Sequence, residues 1–397
     1  MKSLCLITLC FVLLFMATSC VSIGNTQPEV VDSEDPLAPF VEYLATHAVA
    51  MDALCEQELE YSHLSDYRVI LMGETHGIQK TYDAELLMLQ YLYEAYGVRH
   101  ILVEYGYCDG MLVNEYLQTG DEEILKEMLK NLRGTAGFSN ENYAFYTRLY
   151  EYNAGLASDR KIYISGVDVQ HQFLTGIYYL SRLLPDVPPP DEIATHINAL
   201  SSSAPYTNDM FHSLLESFET HAAFYILYLG ETKYQEFNRG AMSVKQGIEY
   251  YAGGGQLFRE KCLIFNCINA LEGRPMEKAF GIFGIAHTAL SATQQNGEPM
   301  LANYLNTHYK ETTGKVASIT CAYYNSKRRD ENGVTTINAD FPVISYAAPL
   351  MPDDISFCPL EFEGSPFAAE SERSLDSQQY LAIIRNSDAV SIYKAQN

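Results

Sequence analysis

Short apolar runs, each followed by a glycine or an ionisable residue and separated from the next by a stretch of helical periodicity, restrict this chain more than any other feature. Arg68-Val-Ile-Leu-Met72, His100-Ile-Leu-Val-Glu104, Lys161-Ile-Tyr-Ile-Ser165 and Ala279-Phe-Gly-Ile-Phe283 are too short for helices and carry little polar alternation. Such runs suit strands covered on both faces in a parallel sheet. Between them, Gln79 to Tyr96 places Leu86, Leu89, Leu92 and Tyr93 around a helix that ends at Gly97, a residue suited to a left-handed C-terminal cap. Helical patterns also run over Asp109 to Tyr116, Glu122 to Leu132, Asn142 to Tyr152, Phe173 to Leu184 and residues 256 to 272. Parallel strands need crossover connections, and these are right-handed. The expected fold is therefore α/β, a three-layer core with a mainly parallel central sheet flanked by helices. Val316 to Tyr323 reads as a fifth strand, Ala382 to Arg385 and Val390 to Tyr393 as short pairing segments, and residues 37 to 60 as an opening helix.

Pro185, Pro188, Pro189 and Pro190 interrupt the alternation, and a helical insertion follows at about residues 185–255, ending in Gly253-Gly254-Gly255. Residues 37–397 are read as a single domain carrying that insertion. Upstream, Lys2 precedes an apolar stretch from Leu4 to Met16 and the small residues Ala17-Thr18-Ser19 before Cys20. This run is shorter than the ~20 residues of a permanent membrane helix, and small residues stand where a peptidase must reach the backbone. Residues 1–20 are read as a signal peptide and residues 21–36 as a tether, since the latter mix Gly24, Pro28, Asp32 and Pro36 without apolar periodicity. An exported location permits disulfides, and Cys55, Cys108, Cys262, Cys267, Cys321 and Cys358 show no CxxC pairing. The formal net charge of −24 opposes attraction to phosphate backbones, so no nucleic-acid partner is expected.

Each expected strand is followed by ionisable residues: Glu74 and His76 after the first, Glu104 at the second, Asp168 after the third, His287 after the fourth. In a parallel sheet those ends share one edge, where the crossover loops open a crevice. Gly73-Glu-Thr-His-Gly77 is the sharpest of these features. Its glycines let the backbone turn tightly, its histidine is a base poised near neutrality, and a neighbouring carboxylate orients the ring. No Gly-X-Ser-X-Gly elbow is present, and the triple glycine lacks the strand and Lys-Ser/Thr context of a phosphate loop.

The run Gly73 to Gly77, Gly97-Val-Arg-His-Ile-Leu-Val-Glu104, Gly166-Val-Asp168 and a last strand leading to His287 together resemble the erythromycin esterase-like proteins of the Tiki and haem-binding uptake superfamily. The likeness covers roughly residues 65 to 290. It implies a small-molecule substrate and a water-activating role for His76 without a metal, with Glu74, Glu104 and His287 at the family's other site positions. By the same likeness Arg259 is a basic residue near the pocket and Lys80 stands at another basic position, while Asp168 and His171 lie close by. One residue separates Glu74 from His76, where the macrolide esterases have two. The shorter form is similar to the Tiki and haem-uptake branches, some of which are associated with divalent metal or haem.

Three readings follow. In the first, a cofactor-free hydrolase of esterase type, His76 deprotonates water, Glu74 or Glu104 holds its ring, and His287 or Arg259 stabilises the oxyanion. In the second, a Tiki-like hydrolase or peptidase, His76, His287 and Glu74 hold Mn²⁺, Co²⁺ or Zn²⁺, although no tight ligand motif is present. In the third, a non-enzymatic, lipid-anchored binding protein captures haem or another ligand, using His171 or nearby tyrosines. A signal segment ending in Cys resembles the lipobox of bacterial lipoproteins, which implies export and a lipid anchor in the membrane. Mass spectrometry of detergent extracts should then find a diacylated Cys20 at the mature N-terminus; a soluble form lacking lipid would remove the anchor.

Overall fold

The computed structural model describes residues 35–56, 60–202, 205–361, 364–368 and 379–394, so the signal segment, Cys20 and most of the tether lie outside the described residues. Nine strands form one sheet: β1 (Val49–Ala50), β2 (Val69–Glu74), β3 (His100–Gly106), β4 (Tyr163–Asp168), β5 (Ala279–Gly284), β6 (Val316–Asp330), β7 (Gly333–Ala339), β8 (Ile355–Pro359) and β9 (Tyr380–Arg385). Their order is β1-β8-β9-β6-β2-β5-β3-β4, with β7 added to β6. From β9 to β4 every pairing is parallel, as the crossovers demanded; β1, β7 and β8 are antiparallel additions at the other side.

Helices α1 (Ala38–His47), α2 (Gln79–Tyr96), α3 (Tyr107–Thr119), α4 (Glu122–Asn131), α5 (Asn140–Ala154) and α6 (Phe173–Arg182) lead into the insertion. There α7 (Asp191–Leu200), α8 (Asn208–Thr220), α9 (Ala222–Leu229) and α10 (Glu231–Glu249) follow one another, before α11 (Gly255–Glu272), α12 (Leu301–Thr307) and α13 (Pro342–Ala347). The two-residue period of a strand divides the core between layers. Ile70 and Met72 of β2 pack with α2 and α5 on one face, while Val69 and Leu71 pack with Leu263, Cys267 and Leu271 of α11 on the other. The inserted helices close a separate apolar cluster with Leu112 of α3, Ile124 of α4 and Ile177 of α6. Among the described residues all six cysteines are free, and no helix is long and apolar enough to cross a membrane.

Three expectations are corrected here. The opening helix stops at His47, because the backbone of Val49 and Ala50 pairs with Phe357 and Ser356 at the sheet edge. Val390 to Tyr393 forms no strand; the tail makes only isolated bridges, Ile78 with Ala389 and Ser139 with Ile392. Gly73 and Gly166 do not end their strands, which run on to Glu74 and Asp168. At Gly166 the close approach of Gly106 is the reason: a Cβ there would stand 2.0 Å from the Gly106 carbonyl oxygen.

Gly77 has a positive φ of 93°, and a Cβ on it would lie 2.0 Å from the Arg329 carbonyl oxygen. Its own carbonyl accepts from the backbone N–H groups of Arg329 and Val390, each at 3.0 Å, which ties the loop after β2 to β6 and to the C-terminal tail. Replacing Gly77 by Ala should destabilise the fold by more than about 1 kcal/mol, read as a lowered melting temperature; an unchanged melt would show that the loop tolerates a side chain.

Candidate active site

The sheet order places β2, β5, β3 and β4 side by side, so the residues at their C-terminal ends meet at one edge. Glu74 closes β2 in register with Gly284 of β5. His76 follows on a loop whose backbone is held from several sides. The Thr75 N–H donates to the Tyr323 hydroxyl at 3.2 Å, that hydroxyl pairs with Thr81 Oγ1 at 3.0 Å, and Arg328 Nε donates to the His76 carbonyl at 3.1 Å. The ring of His76 is half exposed (52 %), with Nδ1 hydrogen-bonded to Glu74 and Nε2 3.9 Å from Glu104 Oε2.

Glu104 is the meeting point. A register shift between Val103 and Gly106 takes it out of the ladder, and its Oε2 accepts from the Gly284 N–H at 2.6 Å. Its Oε1 accepts from Arg259 Nη2 and stands 3.5 Å from His287 Nε2. Arg259, on α11, also grips Asp168 at the end of β4, with Nε 3.1 Å from each carboxylate oxygen. Asp168 is fully buried and accepts in turn from the Val169 N–H at 2.7 Å and from His171 Nε2 at 3.0 Å. His287 is held from behind by Glu260 Oε2, 2.8 Å from its Nδ1, and the other oxygen of Glu260 accepts from the Leu301 N–H at 2.7 Å.

These contacts set the charges. The neighbouring Glu74 carboxylate holds the His76 imidazolium, pushing its pKa up to about 9 against the opposing effect of desolvation. Burial pulls the pKa of His287 down, but hydrogen bonds and charge from Glu104 and Glu260 outweigh it and raise the value to about 10. Burial works against ionised Glu104 as well; His287, His76 and Arg259 overcome it and hold the carboxyl well below its usual range.

A cavity of about 370 Å³ opens at this edge and runs inward between α2, β3, α3 and α5. Glu74, His76, Glu104, Arg259 and His171 line it, whereas His287 stands behind Glu104, off the wall. Lys80 does not join the cluster. Ile78 before α2 and Thr81, Tyr82 and Glu85 on it face the cavity, and Lys80 is turned off that face onto Asp354 and the Arg385 carbonyl. Sequence reasoning passed over Glu260, Glu85, Asp109, Tyr251 and Tyr323. Two signals were there to find: Glu260 directly follows Arg259 in an apolar helix, and Glu85 completes a helical stripe with Ile78 and Tyr82.

No protein-family model matches the sequence, and no curated protein matches it significantly. Solved structures do. A Bacillus cereus protein superposes with a TM-score of 0.61 at 16 % identity, covering 91 % of this chain and 100 % of its own. A succinoglycan biosynthesis protein gives 0.64 at 14 % identity, again over 91 % and 100 % of the two chains. Erythromycin esterase EreC, as a histidine-to-asparagine mutant in its open conformation, gives 0.58 at 12 % identity over 87 % of this chain and 99 % of that one. The fold is erythromycin esterase-like.

On that fold, the metal and haem readings meet a test of donor geometry. Nδ1 of His76 lies on Glu74 and Nδ1 of His287 lies against Glu260, while both Nε2 atoms address Glu104. Among the described residues no group of three or more His, Cys, Asp or Glu side chains is arranged to hold a metal ion. His171 has both ring nitrogens engaged, Nε2 on Asp168 and Nδ1 on the Tyr251 hydroxyl at 2.9 Å, so neither faces a haem iron. Among the described residues no metal-ligand set is therefore formed, and His171 offers no free ring nitrogen to a haem iron.

His287 carries a raised pKa, so its stabilising charge is complete below the unfolded value near pH 6.5 and is lost as pH climbs through about 10. Glu260→Gln should lower the His287 pKa, measured by NMR titration, and move that loss of stability to lower pH. Glu260→Ala should cost about 3–5 kcal/mol, since it leaves a buried imidazolium short of a partner and orphans the Leu301 N–H. An unmoved His287 titration would show that Glu260 does not hold the ring.

Proposed function

We propose that this protein is a hydrolase of carboxylic-ester type in which His76 activates water. The observation that supports this most directly is the half-exposed His76 ring on the cavity wall, with Nδ1 tied to Glu74 and Nε2 turned to the space beside Glu104 and Arg259. In the reaction, Nε2 takes a proton as water oxygen attacks the ester carbonyl carbon. Glu74 stabilises the imidazolium that forms, and Arg259, the guanidinium on the cavity wall, balances the developing oxyanion. When the ester C–O bond breaks, the imidazolium returns its proton to the leaving alkoxide, giving an acid and an alcohol. His287 and Asp168 act as positioning residues: His287 fixes Glu104, and Asp168 fixes Arg259. With Cys20 lipidated, the enzyme would meet its substrate on the exported side of the membrane.

The reading fixes a pH profile. The working base is neutral His76, and its pKa is raised to about 9, so kcat/KM should rise about tenfold per pH unit on the acid side and level off only near pH 9. His287 loses its charge at about 10, which bounds activity on the alkaline side. His76→Ala should cut turnover by ~10²–10⁴ in a variant that still folds, with a lowered melting temperature near neutral pH because Glu74 loses its partner. The assay is a screen of esters, lactones and peptides by wild type and His76→Ala, with and without Mn²⁺. Full activity in the variant would remove His76 as the base, and turnover that appears only with Mn²⁺ would replace this mechanism by a metal-dependent one.

A further inference from the structure

Beyond the His76 edge, the cavity continues to a buried end whose chemistry hydrolysis does not use. Glu85 of α2 (5 % exposed) and Asp109 of α3 (3 % exposed) both face it. Asp109 accepts from Gln170 Nε2 at 2.6 Å through one oxygen, while the other, Oδ1, has no hydrogen-bond partner. Glu85 has neither an ion pair nor a hydrogen bond among the described residues. On the cavity wall the Arg259 guanidinium is shared between Asp168 and Glu104, His76 is held by Glu74, and His171 hydrogen-bonds to Asp168. Around the two acids stand Tyr82, Tyr105 and Tyr146, with Phe145 packed edge-on against Tyr146.

We propose that this inner chamber is a binding subsite for an organic cation, an alkylammonium group carried by the substrate. Aromatic faces attract a desolvated cation, and a buried carboxylate supplies its counter-charge. An anionic group in the inner chamber would instead meet Glu85 and Asp109 with no cation beside them, because the Arg259 guanidinium sits at the outer end on Asp168 and Glu104. Before a ligand enters, burial and the nearby Glu74 raise the pKa of Glu85 against the opposing charge of His76, and burial lifts that of Asp109 to about 7, with Gln170, His171 and the backbone N–H groups of Asp109 and Gly106 opposing. An arriving ammonium favours the ionised form of both acids, and their protons pass to solvent. The groups that share this charge balance are Glu74, His76 and His171 at the outer end and Tyr82, Tyr105 and Tyr146 around the chamber.

As a statement of substrate class this rests on the hydrolase reading; as a binding site it does not, and the test uses binding. Isothermal titration of the full-length protein with choline and with its neutral isostere dimethylbutanol should show the cation bound at least about tenfold more tightly. Glu85→Gln and Asp109→Asn, which preserve shape and remove the charge, should each erase that preference, whereas His76→Ala should keep it. Equal binding of the two probes by wild type, no binding of either, or a preference that survives both acid substitutions would overturn the proposal. The wild-type comparison stands even if a variant fails to fold. Cation binding without turnover of any ester would sink the hydrolase reading alone; turnover of neutral esters with no preference for choline would sink the subsite alone.

Discussion

One carboxylate, Glu104, organises the functional edge of this molecule. It draws the Gly284 N–H, the Arg259 guanidinium and the His287 ring onto its two oxygens, with His76 within 3.9 Å. These groups come from β5, α11, the segment after β5 and the loop after β2, so the charge ties together side chains that sheet pairing and helix packing have brought to one edge. A buried ion network of this kind is poor evidence for net stability, because desolvating the charges offsets much of their attraction. Its value lies in preorganisation: side chains locked by mutual charge need little rearrangement when charge develops on a substrate.

Around that hub the positive and negative groups alternate. Glu260, His287, Glu104, Arg259 and Asp168 form a chain in which each charged group faces partners of the opposite sign, and His171 hydrogen-bonds to its Asp168 end. Glu74 and His76 form a separate pair at the open side, and only there is a titrating ring half exposed. This difference in exposure separates the roles. Buried pairs hold position, and the ring beside the cavity is left to exchange a proton. The same logic sets Glu85 and Asp109 apart, since they are buried acids without a cation.

Much of the edge was legible in the chain before any fold was known. Short apolar runs announced parallel strands, and a parallel sheet gathers strand ends, so Glu74, His76, Glu104 and Asp168 were found by position alone. His287 was found in the same way, yet it lies behind Glu104 instead of on the cavity wall. Lys80 was misplaced for a geometric reason: adjacent helical residues point about 100° apart, so sharing a helix with Thr81 does not mean sharing its face. Glu85 and Asp109 escaped notice because an acid in an amphipathic helix looks the same whether it faces water or a closed chamber. Edge pairing of Val49 with Phe357 likewise overrode a helical pattern, because a partner strand far along the chain supplied the hydrogen bonds.

The amino-acid order by itself determined the α/β class, the strand positions and the set of ionisable residues at the strand ends, because local periodicity and steric preference act over a few residues. Tertiary structure alone decided that β5, late in the chain, slots between β2 and β3, which brings Gly284 against Glu104 and seats Arg259, Glu260 and His287 in one cluster. It also decided which faces of α2 and α3 line a cavity. Those outcomes depend on strand order and helix rotation, and both are set by packing between segments hundreds of residues apart.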